Sequence, residues 1–252
     1  MGLLDGKVAI VTGAGKGLGK GEAMALGREG AKVGVLARTY EDVVQTAKEL
    51  VDVGSEALAL RCDVRNRADV AAAVAATVET FGTVDILVNN AQIIFDFHPL
   101  EEWTEEEMRA TYESGLIGSW AFMLECFPYM KDHGGKIINL ISAAGHGALP
   151  GQGGYGAAKE ALRTLTRIAA KEWGKYKINV NAISPAAASD AFRKLHPTEE
   201  EQIALMREYG AAILQVGDAE RDIGRAVVYL AGPDSTMITG CSLSVDCGMA
   251  ML

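Results

Sequence analysis

Short, continuously apolar runs recur along the chain, separated by alanine-rich stretches of helical length. The runs are Val8–Val11, Val33–Leu36, Ala57–Leu60, Ile86–Val88, Ile137–Ile141, Ile178–Ile183 and Leu243–Val245. Each has strand length, and apolarity without alternation predicts strands buried on both faces. The intervening stretches 17–29, 41–53, 67–81, 104–130, 155–174 and 219–231 predict helices. Such alternation specifies an α/β fold with a parallel sheet covered on both sides. No linker and no internal repeat interrupts it, so residues 1–252 read as a single domain. Thr104 and Glu107 mark a helix start as a capping box. The segment 186–216 breaks the rhythm. It carries one short amphipathic helix near 199–209 and no strand, and is expected to be a mobile substrate lid.

Composition narrows the function class. Lys+Arg 24 against Asp+Glu 33 gives a net charge of −9, with no basic block. Such a chain is a poor ligand for a phosphate backbone, so no nucleic-acid partner is expected. No apolar run approaches transmembrane length, so no membrane partner is expected. The opening MGLLDGKVAIVTG has no charged n-region or cleavage site, and a cytoplasmic protein is expected. Cys62, Cys126, Cys241 and Cys247 form no CxxC pair and read as reduced, mostly buried thiols. The histidines have no ligand spacing with one another or with cysteine, so no catalytic metal is expected. Trp103, Trp120 and Trp173 read as packing residues.

Chemistry begins after the first strand. Thr12 to Gly19 reads TGAGKGLG, and a helix follows. Glycines permit a tight turn and a close backbone approach to a phosphate, and the helix N-terminus adds partial positive charge. Neither the GxGxxG spacing nor the Walker spacing is met; the pattern is TGxxxGxG. Its position after a buried strand predicts a dinucleotide site built on Gly13, Lys16, Gly17, Leu18 and Gly19. The second strand ends Leu36-Ala37-Arg38-Thr39. NAD sites usually carry a carboxylate there for the ribose, whereas NADP sites often place an arginine near the 2′-phosphate. No acid stands at Ala37, and Arg38 and Lys16 supply two cations. NADP(H) is the expected cofactor.

Tyr155 and Lys159 stand four residues apart on one helix face. A neighbouring ammonium favours the phenolate, so Lys159 is expected to lower the pKa of Tyr155 toward acid–base use. Ser142, thirteen residues before Tyr155 at a strand end, could hydrogen-bond a substrate oxygen.

These residues together resemble the classical short-chain dehydrogenase/reductase family over essentially the whole chain. The matches are TGAGKGLG (12–19), Asp63-Val64, Asn89-Asn90-Ala91, Ser142, Tyr155-x-x-x-Lys159 and Asn181-Ala-Ile-Ser-Pro185. The resemblance implies a Rossmann-type, doubly wound parallel sheet of seven strands and a homotetramer or homodimer. It implies hydride transfer between nicotinamide and a carbonyl or alcohol. Tyr155 would be the acid–base residue, Lys159 would hold the nicotinamide ribose and tune Tyr155, and Ser142 would orient substrate. Asp63 and Val64 would flank adenine, Asn90 and Ala91 would lie along the cofactor, and Ile183 and Pro185 would lie near the nicotinamide.

Several positions depart from the family pattern. NNAG reads Asn89-Asn90-Ala91-Gln92, and the catalytic Asn of the fourth helix is Gly115. In the family that Asn holds a water in the proton relay behind the Lys. Pro-Gly becomes Pro185-Ala186, the usual Thr is Asp190, and Asp-Gly-Gly is Asp246-Cys247-Gly248. Gln92, Ile94, His146, Leu149 and Gln152 are the expected substrate-pocket residues, an apolar set suited to a medium-sized hydrophobic ketone. The favoured reading is an NADP(H)-dependent carbonyl reductase or alcohol dehydrogenase. A cofactor-binding sensor or scaffold with little redox activity, and a lyase or epimerase on the same fold, stay open.

Overall fold

The computed structural model describes residues 2–187 and 197–250. Its seven strands are β1 (Val8–Thr12), β2 (Lys32–Ala37), β3 (Ala57–Arg61), β4 (Ile86–Asn89), β5 (Gly135–Leu140), β6 (Ile178–Pro185) and β7 (Ser242–Val245). All pair in parallel, in the order β3-β2-β1-β4-β5-β6-β7. Every apolar run is a strand; β1 and β4 are buried along their whole length, while the edge strands β3 and β7 are only partly buried. Val11 pairs with Val35 on one side and Val88 on the other, at the centre of the sheet.

Side chains alternate along each strand, so each strand feeds two cores. On one face lie α1 (Gly17–Arg28), α2 (Tyr40–Asp52) and α9 (Arg225–Ala231). They bury Leu26, Leu50 and Val228 against Val11, Val33 and Ile183. On the other lie α3 (Arg67–Phe81), α5 (Gly118–Met130) and α7 (Gly153–Trp173). They bury Val74, Phe122 and Ala170 against Ile10, Leu87 and Ile137. A buried polar chain fixes α7 on the sheet. Asn89 Nδ2 donates to Asn139 Oδ1 at 2.9 Å, and Asn139 Nδ2 donates to Thr166 Oγ at 2.9 Å. It ties β4 and β5 to the helix that carries Tyr155 and Lys159.

The stretch 104–130 is not one regular helix. α4 (Glu105–Tyr112) begins at the expected capping box, with Glu107 N–H donating to Thr104 Oγ at 3.2 Å. A π-helical turn, Glu113–Ile117, then joins it to α5 without a loop. Such turns insert one residue into a helix and are frequent at functional sites. Ser114 and Ser119 donate their hydroxyls back to the carbonyls of Ala110 and Gly115, which locally bends the helix.

Two shorter helices flank the site: α6 (Ala143–His146) and α8 (Glu199–Glu208). The lid expected over 186–216 falls partly outside the described residues, as do Asp190 and His196. Its described parts are a bridge from Ala187 to Gly217 and α8, capped by Thr198 and Glu201. Cys62 and Cys126 are buried as expected, but Cys241 is exposed and Cys247 partly so, since both flank β7 at the sheet edge. Trp120 is also largely exposed, beneath the Arg67 guanidinium. Among the described residues no helix is long and apolar enough to cross a membrane.

Candidate active site

The strand order reverses at β1, with β2 and β3 to one side and β4 to β7 to the other. In open parallel sheets a crevice forms at such a point, beyond the carboxyl ends of the strands. Here it is a cavity of about 370 Å³. Thr12 ends β1, and its Oγ accepts the backbone N–H of Asn90 and of Ala91, both at 3.0 Å. Asn90 Nδ2 donates back to the Thr12 carbonyl at 2.9 Å. The loops after β1 and β4 are thereby clamped together.

Two glycines are dictated by this clamp. Gly13 has φ +69°, and a Cβ there would stand 2.7 Å from Asn90 Nδ2. A Cβ at Gly19 would lie 2.5 Å from the Gly13 carbonyl oxygen. Gly13, Lys16, Leu18 and Gly19 line the cavity. Gly17 does not; with φ +59° it turns the chain into α1. A bare backbone wall at a helix N-terminus fits a pyrophosphate.

At the outer end, Arg38, Asp63 and Val64 line the cavity, and Lys16 and Arg38 are exposed at its rim. The Arg65 guanidinium holds the Asp63 carboxyl below the usual carboxylate range, at 2.7 Å. Asp42 in the first turn of α2 lines the same end. No acid stands at the end of β2; Asp42 lies four positions after Arg38 and is brought to the cavity by α2. Asn90 and Ala91 line the middle of the cavity.

The inner end is formed by Leu140, Tyr155, Lys159 and Pro185. Lys159 is buried and donates from Nζ to the Leu140 carbonyl at 2.6 Å. Burial lowers its ammonium to about 8, with the Glu22 carboxylate pulling the other way. Glu22 lies on α1 with no exposure, and neither of its carboxyl oxygens has a protein partner. Burial raises it to about 8, offset in part by Lys159. In sequence Glu22 passes for an ordinary charged residue of an exposed helix face.

The Tyr155 phenol differs from expectation. Burial raises its pKa, and the hydrogen bond with Ser142 only partly opposes this. Lys159 Nζ stands 5.6 Å from the ring centroid and is committed to the Leu140 carbonyl, so desolvation outweighs its charge. Ser142 caps α6, its Oγ accepting the Ala144 N–H at 3.1 Å. Ser142, Tyr155 and Lys159 are thus brought to one place from β5, α6 and α7.

A second cavity, of about 440 Å³, meets the first at Ile94, Tyr155 and Pro185. Ser142, Leu149 and Gln152 line it, with Phe97, Tyr209 and Met249. Of the expected substrate-pocket residues, Ile94, Leu149 and Gln152 are here, but His146 is not. The chain turns into α6 at once after Ser142 and presents Ala143, Ala144 and Gly147 instead. Gln92 lines the first cavity only, its carboxamide bound to the Thr111 carbonyl of α4 at 3.0 Å. Asn181 braces the turn before β7, and Ile183 is core.

The family model for Enoyl-(Acyl carrier protein) reductase matches residues 13–250. The chain belongs to the short-chain dehydrogenase/reductase family. It is 38% identical to the 12alpha-hydroxysteroid dehydrogenase of a Clostridium sp., over 99% of this chain and 98% of that one. It is 34% identical to the trans-4-hydroxycyclohexanecarboxylate dehydrogenase of Sinomonas cyclohexanicum, over 96% and 92% of the two chains. The solved carveol dehydrogenase of Mycobacterium avium, in complex with NAD, superposes with a TM-score of 0.90 at 29% identity, covering 99% of each chain. The family binds a nicotinamide cofactor, and the relatives matched here are dehydrogenases and reductases acting on hydroxyl or keto groups.

Proposed function

We propose that the protein is an NADP(H)-dependent carbonyl reductase or alcohol dehydrogenase for a medium-sized hydrophobic ketone or secondary alcohol, an alicyclic one above all. The observation that carries this is the meeting of the two cavities at Tyr155. One has a glycine wall and cations at its outer end; the other is largely apolar and bears Ser142. The relatives named for a hydroxysteroid and a hydroxycyclohexane substrate favour a ring-borne hydroxyl.

The nicotinamide, when bound, supplies or accepts the hydride. Gly13, Leu18 and Gly19 would accept the pyrophosphate, Asn90 and Ala91 the ribose side, Asp63 and Val64 the adenine, and Pro185 the nicotinamide. In reduction Tyr155 would give its phenolic proton to the carbonyl oxygen while Ser142 donates a hydrogen bond to the same atom. A raised phenol is protonated at neutral pH, the form that reduction needs. Lys159 would hold the ribose and repay the phenolate its proton.

The preference for NADP(H) rests on Lys16 and Arg38 at the cavity rim. Asp42 is the only opposing charge beside them that the cavity wall adds to Asp63, and Asp63 is already engaged by Arg65. Arg38→Ala is expected to lower the ratio of kcat/KM for NADPH over NADH by about 10- to 100-fold, the worth of one charge-assisted phosphate contact. An unchanged ratio overturns the preference. A homotetramer is the proposed assembly, supported by exposed apolar side chains on the second core's outer side, Ile117, Trp120 and Ile168. Light scattering is expected to give four copies, and a monomer refutes it.

A further inference from the structure

The Gln152 side chain has no structural task where it stands. Gln152 is the N-cap residue of α7, the helix that carries Tyr155 and Lys159, yet its side chain makes no cap hydrogen bond. Serine, threonine, aspartate or asparagine would fill that role. Only its backbone is engaged: the N–H donates to the Leu149 carbonyl at 3.3 Å, and the carbonyl accepts the Gly156 N–H at 2.7 Å. Its carboxamide bonds to no group among the described residues. The residue is only 4% exposed, and it lines the second cavity. A buried carboxamide without partners is tolerated where a water or a ligand group takes it. The turn before it is strained into place. Ala148 has φ +50° and Gly151 φ +83°, and the His98 N–H donates to the Gly151 carbonyl at 3.2 Å. A left-handed alanine is uncommon, and such strain gathers at ligand sites. Gln152 stands three residues before Tyr155, and both face the second cavity. Ile94, Phe97, Leu149 and Met249 give that cavity apolar walls. Among the described residues the one charge in its wall is Asp246, buried, whose two carboxyl oxygens accept the N–H of Gly248 and of Ala250.

We propose that Gln152 is the specificity-determining residue of the second cavity, its carboxamide hydrogen-bonding a second, uncharged oxygen of the substrate. The substrate class is then a cyclic ketone or alcohol that carries another carbonyl or hydroxyl besides the reacting one. This deepens the oxidoreductase reading and rests on it. A carboxamide both donates and accepts, so it serves a ketone through Nε2 and a hydroxyl through Oε1. It offers no charge to a carboxylate, and Asp246 in the same wall repels one. An apolar analogue of the same size leaves the carboxamide unpaired, which is what makes the site selective. The bond is the same before and during hydride transfer, so it acts on KM rather than on kcat.

The test sets the positional isomers of hydroxycyclohexanone and cyclohexanedione against methylcyclohexanones and oxocyclohexanecarboxylates. Wild type, Gln152→Leu and Gln152→Met are measured for kcat and KM with NADPH and NADH, for ligand affinity at saturating cofactor by saturation-transfer NMR, and for Tm. In wild type the best two-oxygen isomer is expected to exceed its methyl counterpart about 10- to 100-fold in kcat/KM, through KM. Both variants are expected to reverse the order. The two-oxygen substrate should lose about tenfold or more, and the methyl analogue should gain severalfold, because an apolar side chain suits a methyl group. A residue kept only for the fold would lower both together, with Tm. The proposal is overturned by a wild type indifferent to the second oxygen, by a preference that survives in both variants, by equal losses on the two substrates, or by an oxo-carboxylate as the best substrate. If wild type turns over no carbonyl, the oxidoreductase reading falls on its own. The NMR affinities still decide the contact: tighter binding of the two-oxygen ligand, lost in the variants, sustains it, and equal binding refutes it.

Discussion

Tyr155→Phe is expected to lower kcat for carbonyl reduction by about 10²–10⁴-fold, the usual contribution of a positioned proton donor. NADPH affinity should stay within a few-fold, because only the phenolic oxygen is removed. The phenylalanine ring refills the same space between the two cavities, so Tm should move little. The pH profile carries a second, independent expectation. Burial raises the phenol, so it stays protonated through neutral pH and the donor is present. The Lys159 ammonium titrates near 8, because its desolvation is only partly offset by Glu22. It is charged below that value and neutral above it. Reduction should therefore be flat below about 8 and fall above it as the proton source behind Tyr155 is lost. Oxidation needs the phenolate and should instead rise toward alkaline pH. Steady-state rates in both directions over a panel of cyclic ketones and alcohols, with NADPH and NADH, check this. Unchanged turnover in Tyr155→Phe would remove Tyr155 from the reaction.

The fold was nearly all legible in the sequence because burial on both faces writes a signal that little else writes. Each apolar run is a strand, and the glycine loop follows β1, where Gly13 and Gly19 have no room for a Cβ. Local rules also sufficed for the Thr104–Glu107 box, which is built from near neighbours. What escaped depends on contacts between distant segments. The π-helical turn has no composition signal of its own; it goes with a glutamine from the loop after β4 entering beside Gly115. Asp42 reaches the first cavity only because α2 packs over the end of β2. The Tyr155–Lys159 spacing fixes a shared helix face but not desolvation, and burial is what raises the phenol. His146 lies outside the second cavity because the chain after Ser142 winds into α6, a turn that the residue types there do not announce.

Glu22→Gln is expected to flatten the pH dependence of stability, and Glu22→Met to raise Tm outright. The Glu22 carboxyl is wholly buried and its two oxygens lack protein partners. Burial raises it from 4.5 to about 8, against the pull of Lys159. Between those values the folded chain keeps a proton that the unfolded chain has released. The stabilisation is therefore complete below 4.5 and is lost as pH rises toward 8. At about 1.4 kcal/mol per unit, the loss amounts to several kcal/mol. Glutamine has the same shape and no proton to lose, so its stability curve should lack this slope and cross above wild type before pH 8. Methionine removes both unpaired oxygens, which cost about 1–3 kcal/mol. At about 2–4 °C per kcal/mol for a chain of this size, Tm at pH 8 should rise by several degrees. Thermal unfolding from pH 5 to pH 9 measures both, and parallel curves for wild type and Glu22→Gln would refute the buried acid. In both variants no carboxylate can form beside Lys159 as pH rises through about 8, so the partial support that Glu22 gives the ammonium there is lost. The alkaline limb of the reduction profile should then move to lower pH in each, in step with the stability gained. A stabilising substitution that narrows the working pH range is the outcome expected if an unpaired carboxyl is kept in the core for its hold on Lys159.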